Sequence, residues 1–200
     1  MWIEPVVLEG RHIRLEPLAE AHAAALWSVS DDFELYRFKP YILHSLDDMR
    51  LFIAKNRSTH TQGGGLTFAT LERSSDRPVG SSGYHNADAQ HRRLEIGGTW
   101  VAPPWQRTAI NTEAKRLMLA HAFERWEVLR VTLKTDARNV RSRNAIERLG
   151  ARLDGVLRAP SAAADGGVRD AAFFSMLARE WPDARARLDA RLARGVGPAT

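Results

Sequence analysis

The sequence predicts an α+β fold in which a mixed, mostly antiparallel sheet of about seven strands is flanked by helices. Short segments that alternate apolar and polar residues, bounded by turn residues, indicate strands in the first half of the chain. After Pro103 and Pro104 the apolar residues recur at helical spacing, and a strand and a second helix follow, which indicates one strand-helix-strand crossover. A chain of 200 residues suits one such domain.

The strand predictions rest on alternation with period two. In the segment 11–16, Ile13 and Leu15 lie on one face and polar side chains on the other, and Pro17 ends the strand. Segments 66–71, 78–84 and 94–101 are predicted to form an antiparallel meander. The two final strands of the chain flank a Gly/Ala-rich loop at 159–168. The predicted strands are 11–16, 66–71, 78–84, 94–101, 128–135, 152–157 and 170–177.

The helix predictions rest on caps and on the spacing of apolar residues. Ser45 and Asp48 form a capping box at one helix start, and Gly150 stands where a C-terminal glycine cap is expected. The predicted helices are 20–29, 45 to the glycines at 63–65, 111–126, 139–149 and a basic helix at 182–194.

Composition excludes several classes of protein. The chain has 44% hydrophobic and 26% charged residues, which is ordinary for a globular protein, and no apolar run approaches the roughly 20 residues of a membrane span. The N-terminal residues show no signal-peptide pattern, so we expect a cytoplasmic protein. With no cysteine, the chain has neither a disulfide nor a cysteine nucleophile.

The net charge of +5 could attract nucleic acid, acidic protein or a phosphorylated ligand. Most of the excess lies in the arginines of 138–148 and 185–194, which we interpret as solvated helix faces because no stacking aromatic residue interleaves with them. We therefore do not expect a nucleic-acid partner. The seven histidines are scattered, so neither a metal site nor a Ser-His-Asp triad is expected.

One junction between a strand and a helix has the features of an anion site. The strand 94–101 leads through the loop 106–111 into the helix, where unpaired backbone N–H groups and the positive end of the helix dipole can hold a pyrophosphate. Arg107 would add a positive charge at its mouth. An ordinary helix start preceded by prolines is the alternative.

These motifs resemble the GNAT acetyltransferases, and more narrowly the Rim-type N-terminal acetyltransferases of ribosomal proteins. The resemblance covers almost the whole chain, and its motifs are strong only in combination. They are Gly10 to Leu15, Glu95-Ile96-Gly97 with Trp100 and Pro103, Asn111 to Ala114, Asn139 with Ser142, and Glu147 to Ala151. The resemblance implies a GNAT fold with splayed central strands, acetyl-CoA as acyl donor and a primary amine as acceptor. It also implies an acetyltransferase domain at 1–182, followed by a C-terminal basic helix and tail at 183–200.

The resemblance assigns the binding of coenzyme A to the end of strand 94–101, to the loop 106–111 with the helix start that follows it, and to the start of helix 139–149. Two small residues of the family loop, where glycine lets the backbone approach the pyrophosphate closely, are replaced here by Ala109 and Asn111. Asn139 would cap its helix with or without a ligand. The implied cofactor-binding residues are Trp100, Val101, Gln106, Arg107, Thr108, Ala109, Ile110, Asn111, Thr112, Asn139, Ser142 and Arg143.

Two residues are candidates for the chemistry. Glu95 lies among apolar neighbours in a strand, and the resemblance implies that it accepts the amine proton, often through a water; a solvent-facing side chain, or pairing with Arg92 or Arg93, is the alternative. Many relatives carry a tyrosine as acid for the leaving thiolate, whereas this chain has Ile146. Ser142 is then the candidate acid, with solvent as the alternative.

The acceptor is expected to bind near aromatic residues. We expect Tyr36, Tyr41 and Tyr84 to contact it, although an aromatic cluster such as the one at 27–41 more often belongs to the core than to a pocket. An α-amine needs a weaker base than lysine does, which together with the resemblance favours the N-terminus of a ribosomal protein. The alternatives are a non-catalytic acyl-CoA sensor and an RNA- or ribosome-binding module. A homodimer is left open.

Overall fold

The structure is a computed structural model that describes residues 3–162 and 167–195. The described strands form one sheet of mixed direction, with helices on both of its faces, which confirms the α+β class. The strands are β1 (Leu8–Glu9), β2 (Ile13–Pro17), β3 (Leu66–Glu72), β4 (Arg77–Asp88), β5 (Arg93–Val101), β6 (Arg130–Asp136), β7 (Arg152–Ala162) and β8 (Val168–Leu177).

The helices lie near the predicted positions. They are α1 (Ala23–Ser30), α2 (Leu46–Thr61), α3 (Ala109–Ala120, continued by a π turn at His121–Arg125), α4 (Val140–Arg148) and α5 (Trp181–Ala193). Short 3-10 turns occupy Glu20–His22, Phe33–Leu35, Pro103–Trp105 and Ala178–Glu180. Within the described ranges, no helix is both long and apolar enough to span a membrane.

The described sheet has eight strands in the order β1-β2-β3-β4-β5-β6-β8-β7. The strand that was not predicted is β1. It pairs only through Leu8 and Glu9 and is too short to show an alternating pattern. Every neighbouring pair is antiparallel except β5 and β6, which are parallel. The β5–β6 pairing covers only Arg93 to Glu95, so the two strands part beyond Glu95. The expected splaying of the central strands is therefore present.

Apolar side chains form a separate cluster on each face of the sheet. The larger cluster packs the sheet against α3 and α5, and includes Met118, Trp181 and Leu188. The smaller packs it against α1 and α2 through residues such as Leu26 and Ile53. The division at residue 182 stays a prediction. Helix α5 begins one residue before that boundary and contributes to the larger cluster, while tail residues 196–200 lie outside the described residues.

Local capping explains several of the helix boundaries. The N–H of Asp48 donates to the Ser45 hydroxyl at 3.1 Å, as expected, but the Asp48 carboxylate accepts from His44 N at 2.8 Å instead of closing the box on Ser45. Gly150 ends α4 with φ of +98°, a conformation that favours glycine. Helix α3 begins two residues earlier than predicted, because Thr108 caps it and accepts from Ile110 N.

A buried glutamate joins the N-terminal strand to α3. The carboxylate of Glu113 accepts the backbone N–H groups of Arg11, His12 and Ile13 at 2.9, 2.7 and 2.9 Å. Gly10 allows this approach, because a Cβ at that position would lie 2.5 Å from the Glu113 carboxyl carbon. Two motifs about 100 residues apart in sequence are thus one contact in space.

We expect Glu113→Gln to lower the free energy of unfolding by about 1.5–3 kcal/mol, because hydrogen bonds to a charged group are worth about that much and an amide cannot accept all three N–H groups equally well. Urea denaturation measures the change. Glu147→Gln on the exposed face of α4 is the matched control and should be neutral within about 0.5 kcal/mol. Equal stability of both variants would contradict a structural role for the Glu113 contact.

Candidate active site

The gap between the parted strands is the centre of the site. We call the space between β5 residues 96–101 and β6 residues 133–136 the cleft. Ala102 N donates to Val79 O on the β4 side, so the alternation of a strand directs the N–H and C=O of Val101 to the opposite edge, which faces the cleft. This edge of β5 has no strand partner in the described part of the chain. The Val101 N–H on this edge is therefore available to a ligand.

A bulge shapes the inner wall of the cleft. The register of β4 and β5 shifts between Ser81 and Gly83, and Gly98 opposite has φ of +64°. A Cβ at Gly97 would lie 2.8 Å from Glu95 Oε1. Glycine at position 97 thus leaves room for the Glu95 carboxylate on this wall.

At the mouth of the cleft, Gln106 connects both sides. Its Nε2 donates to Val101 O at 2.9 Å, and its Oε1 accepts from Arg141 Nη1 of α4 at 2.9 Å. The N-terminus of α3 opens beside it, where Arg107 is exposed. Arg107 is also the loop residue with positive φ, at +63°. The mouth therefore carries a helix N-terminus and two guanidinium groups, a combination that suits a pyrophosphate.

The two enlarged loop positions fit the backbone. Ala109 is the first residue of α3 and has no positive φ, so its methyl group causes no backbone strain. Asn111 lies in the first turn of α3, and its Oδ1 is buried with no hydrogen-bond partner among the described residues. The loop thus forms an intact helix start, and Ile110 is buried beneath it while Thr112 is partly exposed.

The start of α4 forms the opposite side of the mouth. Asn139 caps the helix by accepting from Ser142 N at 3.0 Å, as its local position predicts. Arg143 donates to Ala137 O at 3.3 Å. Ser142 is partly exposed, and its hydroxyl has no hydrogen bond within the described ranges. Its hydroxyl can therefore contact a ligand.

Some predicted site residues lie elsewhere. The ring of Trp100 packs against the smaller apolar cluster near α1 and α2, and its carbonyl oxygen faces Gly80 of β4, so the contact with coenzyme A predicted for Trp100 is not supported. Tyr84 is fully buried, and its hydroxyl donates to Met118 O at 2.8 Å. The acceptor contact predicted for Tyr84 is therefore not supported. Tyr36 and Tyr41 pack edge to face at 6.3 Å in the loop between α1 and α2, and their contact with the acceptor stays a prediction.

Glu95 is 7% exposed and lies where the two strands part. Its Oε2 accepts from Asn86 Nδ2 at 2.9 Å and pairs with Lys134 Nζ of β6 at 3.0 Å. The alternative pairing with Arg92 or Arg93 is wrong, because those guanidinium groups contact Glu127 and Asp88. The other carboxylate oxygen, Oε1, lies on the side of Gly97, where an added Cβ would be 2.8 Å from it.

His85, one of the seven scattered histidines, lies beside Glu95. The two residues are directly opposite each other in the β4–β5 register. The imidazole fits against Gly83 and Gly98, where a Cβ would approach its Nε2 to 3.0 and 3.1 Å, and Nε2 is buried with no hydrogen-bond partner in the described structure. Burial lowers the pKa of His85. In the sequence, a histidine near glycines does not by itself indicate a functional site. Only the β4–β5 register shows that His85 lies opposite Glu95.

Two lysines meet at Thr99 of β5. Lys115 of α3 is 4% exposed, and its Nζ donates to Ser82 Oγ at 2.7 Å and Thr99 Oγ1 at 2.6 Å. Lys39, from the loop between α1 and α2, donates to Thr99 O at 2.7 Å. No carboxylate pairs with either lysine within the described residues. Burial, with a contribution from Lys39, lowers the pKa of Lys115 to about 7.

Comparison with known proteins identifies the family. Residues 12–152 match the model of the acetyltransferase (GNAT) domain. A "putative acetyltransferase" from T. thermophilus is 38% identical, with a TM-score of 0.87 over 96% of this chain and 100% of that one. A GCN5-related N-acetyltransferase from Brucella melitensis is 26% identical, with a TM-score of 0.89 over 96% and 87%.

A curated relative gives a shorter match. The "Putative ribosomal N-acetyltransferase YdaF" of Bacillus subtilis (strain 168) is 35% identical over 97 residues, 48% of this chain and 52% of the relative. The match thus spans about half the length of that relative. Taken with the domain match, these similarities show that the chain belongs to the GNAT acetyltransferase family, whose acyl donor is acetyl-CoA.

The pKa of Lys115 predicts how stability depends on pH. The folded pKa of about 7 lies below the ordinary 10.5, so the unfolded chain binds more protons between these values and stability rises as pH rises through this window. We expect Lys115→Met to remove part of this rise and to increase the free energy of unfolding at pH 7 by about 1–4 kcal/mol. Denaturation at pH 7 and 9.5 measures it. The exposed Lys55→Met is the control, and parallel pH profiles for Lys115→Met and wild type would contradict the prediction.

Proposed function

We propose that the protein transfers the acetyl group of acetyl-CoA to a primary amine, an α-amino group such as the N-terminus of a ribosomal protein. The observation that carries this proposal is the cleft: an unpaired β5 edge, flanked at its mouth by the starts of α3 and α4 and at its inner end by Glu95. Family membership supports the acyl donor. The printed name of YdaF supports the ribosomal acceptor.

Acetyl-CoA, when bound, supplies a thioester carbonyl carbon that an amine can attack directly. The N–H of Val101 faces the cleft and is placed to stabilise negative charge that develops on the carbonyl oxygen. Arg107 and the first turn of α3 would hold the pyrophosphate, and Asn139 and Ser142 would contact the pantetheine arm. Since the chain has no cysteine, direct attack needs no thiol nucleophile.

The attacking amine must lose a proton, and we propose that Glu95 accepts it directly or through a water. The contacts with Asn86 and Lys134 both fall on Oε2, which leaves Oε1 for the amine. An α-amine, with an ordinary pKa near 7.7–8.0, makes smaller demands on this base than lysine at about 10.4. Ser142 is the proposed proton donor to the leaving thiolate.

The binding-module alternative is weaker. Arg185, one of the arginines of α5, pairs with Glu124 and with Asp189, and Asp189 also pairs with Arg116. These ion pairs favour a role of α5 in packing on α3 over a role in contacting phosphates.

Coenzyme A should bind at the start of α3. At 100 times its dissociation constant a ligand specific for the native state stabilises it by about 2.7 kcal/mol, so saturating CoA should raise the melting temperature. We expect Arg107→Gln to weaken CoA binding, and Arg125→Gln, exposed at the far end of the same helix, to leave it unchanged. Differential scanning fluorimetry across CoA concentrations measures both. No shift at millimolar CoA would contradict the site.

Glu95→Gln should keep CoA affinity and lower turnover by about 10²–10⁴-fold, since a general base contributes about that much. Initial rates with an α-amine peptide measure the effect, and the exposed Glu127→Gln is the control. His85→Gln is made in parallel because His85 Nε2 lies nearby and unpartnered. If Glu95→Gln loses only two- or three-fold while His85→Gln loses 10²-fold or more, the base is His85 and the assignment to Glu95 is wrong.

A further inference from the structure

Two cations fasten the loop between α1 and α2, residues 31–45, across the cleft. From the loop, Lys39 Nζ reaches β5 and donates to Thr99 O at 2.7 Å. From β8, Arg169 Nη1 donates to Phe38 O at 3.0 Å. Because Phe38 and Lys39 are neighbours in the chain, the loop bridges the two sides of the parted sheet at one point, with a cationic group on each side.

These two charges are poorly compensated. The Arg169 side chain is 10% exposed, and its Nε has no hydrogen-bond partner among the described residues. The carboxylate nearest to it is Asp136, whose Oδ2 is 3.8 Å from Arg169 Nε. That carboxylate already accepts Arg138 Nε at 3.0 Å and Arg138 Nη2 at 2.8 Å. A buried guanidinium N–H without an acceptor is costly, and a ligand oxygen would satisfy it.

Lys39 is in a similar position. No carboxylate lies within ion-pair distance of its Nζ in the described ranges, and its bond to Thr99 O uses one of three N–H donors. Burial and the charge of Arg169 lower the pKa of Lys39 to about 8. The carbonyl group that Lys39 binds belongs to Thr99, four residues after Glu95 on β5. The carboxylate of Glu95 is already paired with Lys134.

We infer that the acceptor carries a negatively charged group close to its reactive amine, and that Lys39 and Arg169 bind this group. The inference rests on the proposed acetyl transfer and specifies its acceptor class. The shared chemistry is a carboxylate a few bonds from an α-amine. Its source is either the α-carboxylate of a free amino acid or an acidic side chain next to a peptide N-terminus. With the anion held by Lys39 and Arg169, the amine is directed toward Glu95 and His85.

Matched acceptor pairs test the inference. One pair is L-alanine and L-alaninamide; the other is two C-terminally amidated peptides that differ only in Asp or Asn at position two. Acetylation by the full chain is measured as kcat/KM, with KM expressed as the concentration of neutral amine. Different amine pKa values then do not bias the ratio. We expect the anionic member of at least one pair to be favoured by roughly 10- to 100-fold, the range of a charge-assisted hydrogen bond. The favoured pair identifies the source of the carboxylate.

Variants locate the preference on these side chains. Lys39→Met and Arg169→Gln should bring the ratio of the favoured pair toward one, and Arg169→Lys should retain part of it. Arg158→Gln, an exposed arginine on the neighbouring strand β7, should leave the ratio unchanged. Lys39 is only partly buried, so its variant tests the inference even if Arg169→Gln unfolds.

The failures are distinguishable. Acetylation with a ratio near one for both pairs would overturn the inference and leave the proposed transferase function standing. A preference that survives Lys39→Met in full would also overturn it. Absence of acetylation for every acceptor would overturn the proposed function together with the inference.

Discussion

The parting of β5 and β6 after Glu95 is the constraint on which the rest of the site depends. Two central strands that separate inside a sheet leave backbone donors and acceptors that must find other partners. The chain satisfies two carbonyl groups on the β5 edge with side chains: Gln106 binds Val101 O, and Lys39 binds Thr99 O. The N–H of Val101 is left facing the cleft. The same opening therefore creates a demand for polar contacts and a place for a substrate.

The surroundings of the cleft carry polar groups that a protein selected only for stability would avoid. Lys115 is buried without a carboxylate, His85 Nε2 and Asn111 Oδ1 are buried without partners in the described structure, and Arg169 is held mostly by a backbone carbonyl. Each of these contributes an unfavourable desolvation free energy. Such exceptions concentrate at functional sites, where ligands supply the missing contacts. Here they surround one opening in the sheet.

Features with a local cause were predictable from the sequence. The caps at Ser45 and Asn139 and the turn at Gly150 depend on residues within one helical turn, and the structure confirms all three. The alternation of apolar residues located seven of the strands. It could not reveal β1, which is two residues long and exists because β2 offers it an edge.

Contacts between distant segments were not predictable. Glu113 belongs to the family motif at Asn111 to Ala114, yet the three backbone N–H groups that it binds lie about 100 residues away in the chain. His85 meets Glu95 only through strand register, and Lys115 reaches Thr99 only because α3 packs on that face. Tyr84 was expected at the acceptor because aromatic residues often line pockets, but core packing uses the same residues. Sequence patterns predicted the secondary-structure elements and the family, whereas the electrostatics of the site became visible only in the tertiary structure.

Residue-level amide hydrogen exchange of Val101, with and without acetyl-CoA, tests the central role of the cleft most directly. The Val101 N–H should exchange quickly in the free protein and become protected when acetyl-CoA binds. The N–H of Ala102, which is bonded to Val79 O at 2.8 Å, should be protected in both states and serves as the internal reference. Protection of Val101 that is already high without ligand, or that does not change on binding, would contradict the account.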